Sequence, residues 1–276
     1  WSLLVYCPLA YWVWMTPDGS PLTLLTNGLH PIDYAGGLVV HQSAGVAALV
    51  LAVILGKRSG FPGAMQPPAQ PGMVMIGASM LWVGWYGFNS GLAGSMTEGG
   101  YIIFNTQVCT ATAVVAWIAF ETLRGGKPTL VGAAPAAVAG LVAITPSCAT
   151  VSVPGALILG VVAGVVPQLV IPLIKSTFKI DDALDVFAVH GVAGISGTLL
   201  LPFRARIGPN GAPADDTAAQ FIAQLWSVIA SGVYVVIATA IIAIVVRAVI
   251  GMRADDEAVA DGLDISSHGE KAYDLS

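Results

Sequence analysis

Long apolar runs separated by short polar connections dominate the hydropathy pattern of this 276-residue chain. Because the hydrocarbon core of a bilayer is about 30 Å thick, an α-helix needs about 20 residues to cross it. Measured against that length, the pattern predicts eight helical spans. They cover residues 1–15, 35–56, 72–95, 100–123, 129–146, 153–175, 185–202 and 219–249. The first is too short to cross, which indicates an N-terminal truncation, and the last is long enough to tilt or to continue beyond the bilayer.

Composition agrees with a membrane protein. Hydrophobic residues make up 56% of the chain and charged residues only 10%, whereas a soluble domain carries about 25% charged residues. The sequence has no basic stripe, so nucleic acid is not an expected partner. Cys7, Cys109 and Cys148 are scattered without metal-ligand spacing, so we expect them to pack as small residues. We expect membrane lipid around the chain, and neither a metal nor a cofactor within it.

Basic residues accumulate in alternate connections. The connections after the second, fourth and sixth spans, together with the C-terminal tail, carry nine of the 11 Lys and Arg residues. The other two, Arg204 and Arg206, lie between the last two spans. Since Lys and Arg favour the cytoplasmic side, this asymmetry predicts a cytoplasmic C-terminus and an external Asp33. The expected localisation is a plasma (inner) membrane that the chain crosses many times.

One motif occurs twice, each time at the start of an apolar run. It is DYAGGLVVHQSAG at residues 33–45 and DALDVFAVHGVAG at residues 182–194. In both copies an Asp precedes the His by eight positions, a Val directly precedes it, and an Ala-Gly pair follows three and four positions later. A histidine inside a membrane helix is costly unless it has a partner or a function. Two histidines at matched positions of a repeat therefore predict a functional pair.

The two histidines, His41 and His190, are predicted to meet near the bilayer midplane. Each lies about 12 Å along its helix from the motif Asp, at about 1.5 Å per residue, and the two helices start on opposite sides. A neutral imidazole has one donor and one acceptor, so two in contact form a hydrogen-bonded path. An apolar surrounding favours the neutral form. The simpler interpretation, that each His bonds a carbonyl to pack its helix, is less favoured for a matched pair.

The position of the repeat also predicts the architecture. The second motif closes a group of five spans over residues 72–202, whereas the first lies in only the second span present. If the halves are inverted repeats, three helices precede Trp1, and five plus five plus one gives eleven. The predicted fold class is an all-α polytopic membrane protein with inverted five-helix repeats and a C-terminal helix, about eight of whose helices lie in this chain.

Carboxylates mark the starts of both histidine helices. Asp33, Asp182 and Asp185 are expected to cap free N–H groups and to complement the helix dipole. Asp33 also has the position to draw cations toward an outer entrance. From the residues alone, these three carboxylates are therefore predicted to have a structural role.

Aromatic residues supply a second set of candidates. Trp14 closes the first span, where it either anchors the membrane interface or holds a small cation by a cation–π interaction. In the third span Trp85 and Phe88 lie three residues apart on one helix face. They either pack in the core or form an aromatic constriction in a pore. The residues alone do not choose between these interpretations.

These motifs in combination resemble the ammonium transporter family (Amt/Mep, related to Rh proteins), from Trp1 into the tail. The resemblance rests on DYAGGLVVH, GKRSGF, GWYGFNSG, ATAVVAWI, RGGKPTLVG, GLVAITP, DDALDVFAVHGVAG and GLDISSHGEKAY. It implies a homotrimer of eleven-helix subunits, each with its own narrow pore. Residues 1–250 would form the transmembrane domain without about three N-terminal helices. Residues 251–276 would form a cytoplasmic tail that couples subunits and contributes to docking of a PII-type regulator.

The resemblance also implies roles for single residues. His41 and His190 fall on the twin histidines of the family pore. Phe88 falls on one of two gating phenylalanines and Trp85 on a tryptophan beside the pore.

The outer recruitment site of the family is implied as well. Trp14 falls on its tryptophan and Asp33 on the acid that supports it. The family commonly has Ser where this chain has Leu92. Because Leu92 lacks the hydroxyl acceptor, we expect weaker ammonium binding there.

The function that follows from the resemblance is ammonium transport. Ammonium would be recruited outside, lose its proton, and cross the apolar middle as ammonia beside the histidine pair, which could relay the proton. A bare charge at the bilayer centre costs several kcal/mol, so this separation lowers the barrier. The alternatives are an ammonium sensor with the same fold and an Rh-like channel for neutral gas. An enzyme is not expected, because no nucleophile or metal cluster accompanies the histidines.

Overall fold

The structure, a computed structural model, describes residues 1–15, 19–26, 28–64, 67–204 and 217–271, with the backbone alone at Arg204. These residues form helices and no strand. The eight main helices, numbered α1 to α8 in chain order, are Ser2–Met15, Gly37–Leu55, Pro71–Ser90, Met96–Leu123, Leu130–Ser147, Val153–Thr177, Phe187–Phe203 and Thr217–Ile250. Short helical segments cover Pro21–Leu25, Asp256–Asp261 and Asp264–His268.

All eight predicted spans are helices, so the all-α polytopic fold class is confirmed. Five helices in the described part of the chain, α2, α4, α5, α6 and α8, are long and apolar enough to cross a membrane. Helices α1 and α7 are apolar but shorter. Helix α3 has 20 residues, but its Trp, Tyr, Asn and Gly residues make it less apolar than these five.

Small residues allow close packing of α4, α5 and α6. A Cβ atom at Gly140 would lie 2.8 Å from the Cα atom of Thr110. Similarly, a Cβ atom at Gly160 would lie 2.6 Å from the carbonyl oxygen of Cys109. Backbone therefore approaches backbone along this three-helix layer, with α5 almost entirely buried in it.

Helix α8 is joined to the start of α2 by buried amides. Gln42 Nε2 donates to the carbonyl oxygen of Val228 at 2.7 Å and to Ser231 Oγ at 3.1 Å. The side chain of Gln224 accepts from the backbone N–H of Ile32 and donates to its carbonyl, both at 2.8 Å. These bonds satisfy backbone groups ahead of α2 and fix the helix that carries His41.

Basic residues meet at one end of the bundle. Arg253 donates to the carbonyl oxygens of Leu55 and Lys57 at 3.1 and 3.0 Å. Arg58 forms an ion pair with Asp181 at 2.7 Å. The segments after α2, before α7 and after α8 therefore share this end. Arg206 and the side chain of Arg204, predicted for the opposite end, lie outside the described residues, as do residues 272–276 of the tail.

Candidate functional site

The candidate site begins where α2 crosses α7. A Cβ atom at Gly45 would clash with the backbone N and Cα atoms of Gly191. A Cβ atom at Gly194 would lie 2.9 Å from the carbonyl oxygen of Gly37 and 3.1 Å from the Cβ atom of His41. Gly45 and Gly194 are the motif glycines four positions after each histidine. Each histidine helix therefore offers a glycine to the other, and the two backbones touch.

This crossing brings the two imidazoles together. The Nδ1 atoms of His41 and His190 lie 3.3 Å apart, within hydrogen-bond range. The ring centroids are 5.4 Å apart and the ring planes are inclined by 33°. His41 is buried and His190 is partly buried. The Nε2 atom of His41 is buried and has no hydrogen-bond partner within the described part of the chain.

Two aromatic side chains of α3 cover His41. The Trp85 ring stacks on the imidazole, with centroids 5.1 Å apart and planes inclined by 16°. The Phe88 centroid lies 6.0 Å from that of His41 and 5.3 Å from that of Trp85. Trp85 is buried, whereas Phe88 exposes 43% of its surface. The structure thus joins the aromatic pair and the histidine pair, which the sequence treated as separate candidates, into one cluster.

Matched carboxylates cap the two histidine helices. Asp33 accepts backbone N–H bonds from Gly36, Gly37, Leu38 and Val39, the last two at 2.9 and 3.1 Å. Asp182 accepts two such bonds, from Val186 at 3.0 Å and Phe187 at 2.8 Å. The carboxylate at the start of each motif therefore satisfies the free donors of its own helix.

Asp185 differs from the predicted cap. Its carboxylate forms an ion pair with Lys175 at the end of α6, at 2.7 Å. Its backbone is left-handed, with φ at 57°, and its carbonyl oxygen accepts the N–H of Val189 at 2.9 Å. Burial raises the pKa of Asp185 above its usual value, and Lys175 opposes that rise. This ion pair joins the end of α6 to the turn before α7.

The three recruitment candidates have different surroundings. Trp14 Nε1 donates to the carbonyl oxygen of Asp33 at 2.8 Å, while 41% of the Trp14 surface is exposed. The Asp33 carboxylate is only 5% exposed and is occupied by its helix. Leu92 lies in the turn after α3 with 61% of its surface exposed. Asp33 therefore contacts Trp14 through its backbone carbonyl, while the Trp14 and Leu92 side chains are exposed.

Sequence reasoning gave Gly45 and Gly194 no role. The signal was present, because the Ala-Gly pair is shared by both copies of the motif. It was not used because a glycine at a helix crossing cannot be told from any other helix glycine until the facing helix is known.

Fold and site together define a polytopic helical membrane protein with an imidazole pair in contact where two apolar helices cross. Comparison with known proteins identifies the family within this class of membrane proteins. The model of the Ammonium Transporter Family matches residues 1–273, and the chain belongs to that family.

Curated relatives and solved structures agree with this family membership. The ammonium transporter of Aquifex aeolicus is 42% identical over the whole chain, which spans 63% of that relative's length. The crystal structure of Mep2 from Candida albicans matches 93% of this chain and 58% of its own, with a TM-score of 0.81 and 32% identity. A structure described as "Sensor Amt Protein" matches 94% of this chain and 66% of its own, with a TM-score of 0.82 and 28% identity. The chain thus covers less than two thirds of each of these proteins.

Proposed function

We propose that this chain forms the pore region of an ammonium transporter, in which ammonium loses its proton and ammonia passes the histidine pair. The observation that carries the proposal is the Nδ1 contact of His41 and His190 at 3.3 Å, with the buried Nε2 of His41 unpartnered in the described part of the chain. An unpaired buried polar atom is costly in an apolar core, and a passing ammonia molecule offers a hydrogen-bond partner.

The paired Nδ1 atoms also provide a route for the proton. A hydrogen bond between them requires one imidazole to carry its proton on Nδ1 and the other on Nε2. The pair then has a bare Nε2 at one end and an N–H at the other. If the bare Nε2 accepts a proton, the shared Nδ1 proton moves to the second ring, which releases its own Nε2 proton. One passage reverses the polarity of the pair, so transport requires a reset.

The outer part of the path begins at Trp14. Its indole face attracts a small cation by a cation–π interaction worth about 0.5–2 kcal/mol. Phe88 exposes 43% of its surface and its ring centroid lies 6.0 Å from that of His41, so it is the proposed gate to the histidine pair. Ammonium would shed water and its proton at this ring, because a bare charge at the bilayer centre costs several kcal/mol.

Orientation and localisation follow from the basic end of the bundle. Arg58 and Arg253 lie there together, and Lys175 ends α6 beside Asp185. Because Lys and Arg favour the cytoplasmic side, we place this end and the tail in the cytoplasm of a plasma (inner) membrane. Residues 1–250 then form the membrane domain and residues 251–276 the tail, in a homotrimer whose tails contribute to binding of a PII-type regulator.

The proposed cycle forms and breaks no covalent bond other than N–H bonds, so the protein is not proposed to be an enzyme. An ammonium sensor is the second candidate, and Leu92 favours it because the recruitment site loses a hydroxyl acceptor. A channel for neutral gas is disfavoured by the exposed Trp14 ring, which suits a cation.

The test is a current recording from proteoliposomes that contain the intact protein, after a pulse of ammonium. We expect a current in the parent that falls in His190→Ala. The control is His30→Ala, which truncates an exposed histidine outside the cluster and should leave the current unchanged. Saturable ammonium binding without current or ammonia flux would exclude the transporter and support the sensor. Ammonia flux without current would instead favour the neutral gas channel.

A further inference from the structure

Helix α3, which carries the aromatic cover of His41, makes few buried contacts in the described part of the chain. Of its 20 residues only Ala78, Trp85 and Asn89 are buried. Trp85 and Asn89 are one helical turn apart, so they lie on the same face. The rotation and height of Trp85 relative to His41 therefore depend on what these two side chains hold.

Both side chains lie against the Thr145 hydroxyl at the end of α5. Trp85 Nε1 donates to Thr145 Oγ1 at 3.0 Å. Thr145 Oγ1 lies 2.7 Å from the carbonyl oxygen of Leu141 and 3.3 Å from Asn89 Oδ1. Because the hydroxyl has one proton, it donates to one of these two oxygens at a time. Asn89 Nδ2 in turn donates to Thr106 Oγ1 of α4 at 3.0 Å. The Trp85 and Asn89 bonds thus tie α3 to α5 and to α4.

The backbone of Thr145 reaches the other side of the cluster. Its carbonyl oxygen accepts from the N–H of Ala35 at 3.3 Å, two residues after the Asp33 cap. Thr145 is completely buried. One residue therefore touches both the aromatic cover of His41 and the segment that leads into the His41 helix.

We propose that Thr145 is a positioning residue of the transport path, which holds the Trp85 indole in its stacked position over His41. This inference rests on the proposed function. The hydroxyl is needed as the acceptor of the indole N–H, because a buried N–H without an acceptor is destabilised. When it is lost, Trp85 shifts, the imidazole face is uncovered, and water and hydrated cations gain access to the histidine pair.

The experiment compares Thr145→Val with Thr145→Ser in proteoliposomes of the intact protein, with ammonium and potassium currents as the readout. Val keeps the shape and removes the acceptor, whereas Ser keeps the acceptor. We expect the selectivity for ammonium over potassium to fall about tenfold in Thr145→Val, as for a buried donor left unsatisfied, and to stay near the parent value in Thr145→Ser. The matched control is Thr110→Val, a fully buried threonine whose hydroxyl bonds the carbonyl of Thr106 within α4.

A double-mutant comparison separates positioning from a general structural effect. Trp85→Phe has no indole N–H, so Thr145→Val should change selectivity little in that background. An equal loss in both backgrounds, equal behaviour of the Val and Ser variants, or parent selectivity in Thr145→Val would each overturn the inference.

A structure of the Thr145→Val protein decides the question without transport. The inference requires the Trp85 ring to leave its stacked arrangement, and an unchanged ring would refute it. If the parent carried no ammonium current, the proposed function would fail, and this structural readout would still decide whether Thr145 positions Trp85.

Discussion

Gly45 of α2 lies against Gly191 of α7 with no room for a side chain between the two backbones. The contact is one helical turn beyond His41 in α2 and directly follows His190 in α7. Because packed cores resist small displacements, the closeness of this crossing sets the distance between the rings.

The first prediction is that Gly45→Ala separates the histidine pair. The new methyl group clashes with the Gly191 backbone, and overpacking of this kind costs about 1–3 kcal/mol. We expect a lower unfolding temperature in detergent and loss of ammonium current. Gly77→Ala is the control, since nothing lies within 4 Å of a Cβ atom there. It should retain the current and, as an alanine within a helix, gain about 0.5–1 kcal/mol. Equal behaviour of the two variants would contradict the prediction.

The second prediction concerns the unequal caps of the histidine helices. The Asp33 carboxylate accepts four backbone N–H bonds and that of Asp182 accepts two. We expect Asp33→Ala to lower the free energy of unfolding by about 2 kcal/mol or more, and Asp182→Ala by about 1 kcal/mol. Denaturation of the purified protein in detergent measures both. If Asp182→Ala lost more free energy of unfolding than Asp33→Ala, the number of cap bonds would not determine which substitution is more destabilising.

The third prediction is that the substitution Leu92→Ser strengthens ammonium binding. Leu92→Ser introduces a hydroxyl acceptor in the exposed turn after α3, where a hydrogen bond to the cation contributes about 0.5–1.5 kcal/mol. The apparent affinity for ammonium should therefore rise about 3–10-fold, as measured by the concentration dependence of the current. Leu92→Ala, which removes the leucine without adding an acceptor, is the control. An unchanged affinity in Leu92→Ser would remove Leu92 from the recruitment site.

The fourth prediction is a pH dependence at the basic end of the bundle. The hydrogen-bonded Arg58 guanidinium lowers the pKa of Asp181, so Asp181 stabilises the fold above the unfolded-state value of about 3.9. That stability is lost as the pH falls through the lower pKa of the folded state. Asp181→Asn should therefore unfold at a lower temperature than the parent near pH 7, with the difference closing below about pH 4. Asp256→Asn, an exposed carboxylate of the tail, is the control. A difference that does not narrow as the pH falls below about 4 would contradict the assignment.

Helix positions were largely predictable, because hydrophobic length is imposed by the bilayer and is written along the chain. The predicted span 72–95 was too long at its end, since α3 ends at Ser90. The apolar residues beyond it, such as Leu92, resemble a helix in the pattern but lie in a turn. Apolar character does not mark a helix end when the following turn is itself apolar.

The ion-pair partner of Asp185 could not be predicted from the sequence. Asp182 and Asp185 both stand before α7, and the sequence offers both as caps. In the structure Asp182 accepts two backbone N–H bonds of α7, whereas the Asp185 carboxylate pairs with Lys175 on another helix. A helix cap forms between residues that are close in sequence, whereas the ion-pair partner Lys175 lies on another helix and cannot be identified from the local pattern.

The sequence by itself determined the helices, the repeat, the histidine pair and the family, because each is encoded in spacing along one chain. Tertiary structure alone decided that Trp85 stacks on His41, that Gly45 and Gly194 face the opposite helices, and that Thr145 holds the indole. These relations join helices far apart in sequence. They depend on helix rotation and crossing, which the packing of whole surfaces sets and no local pattern records.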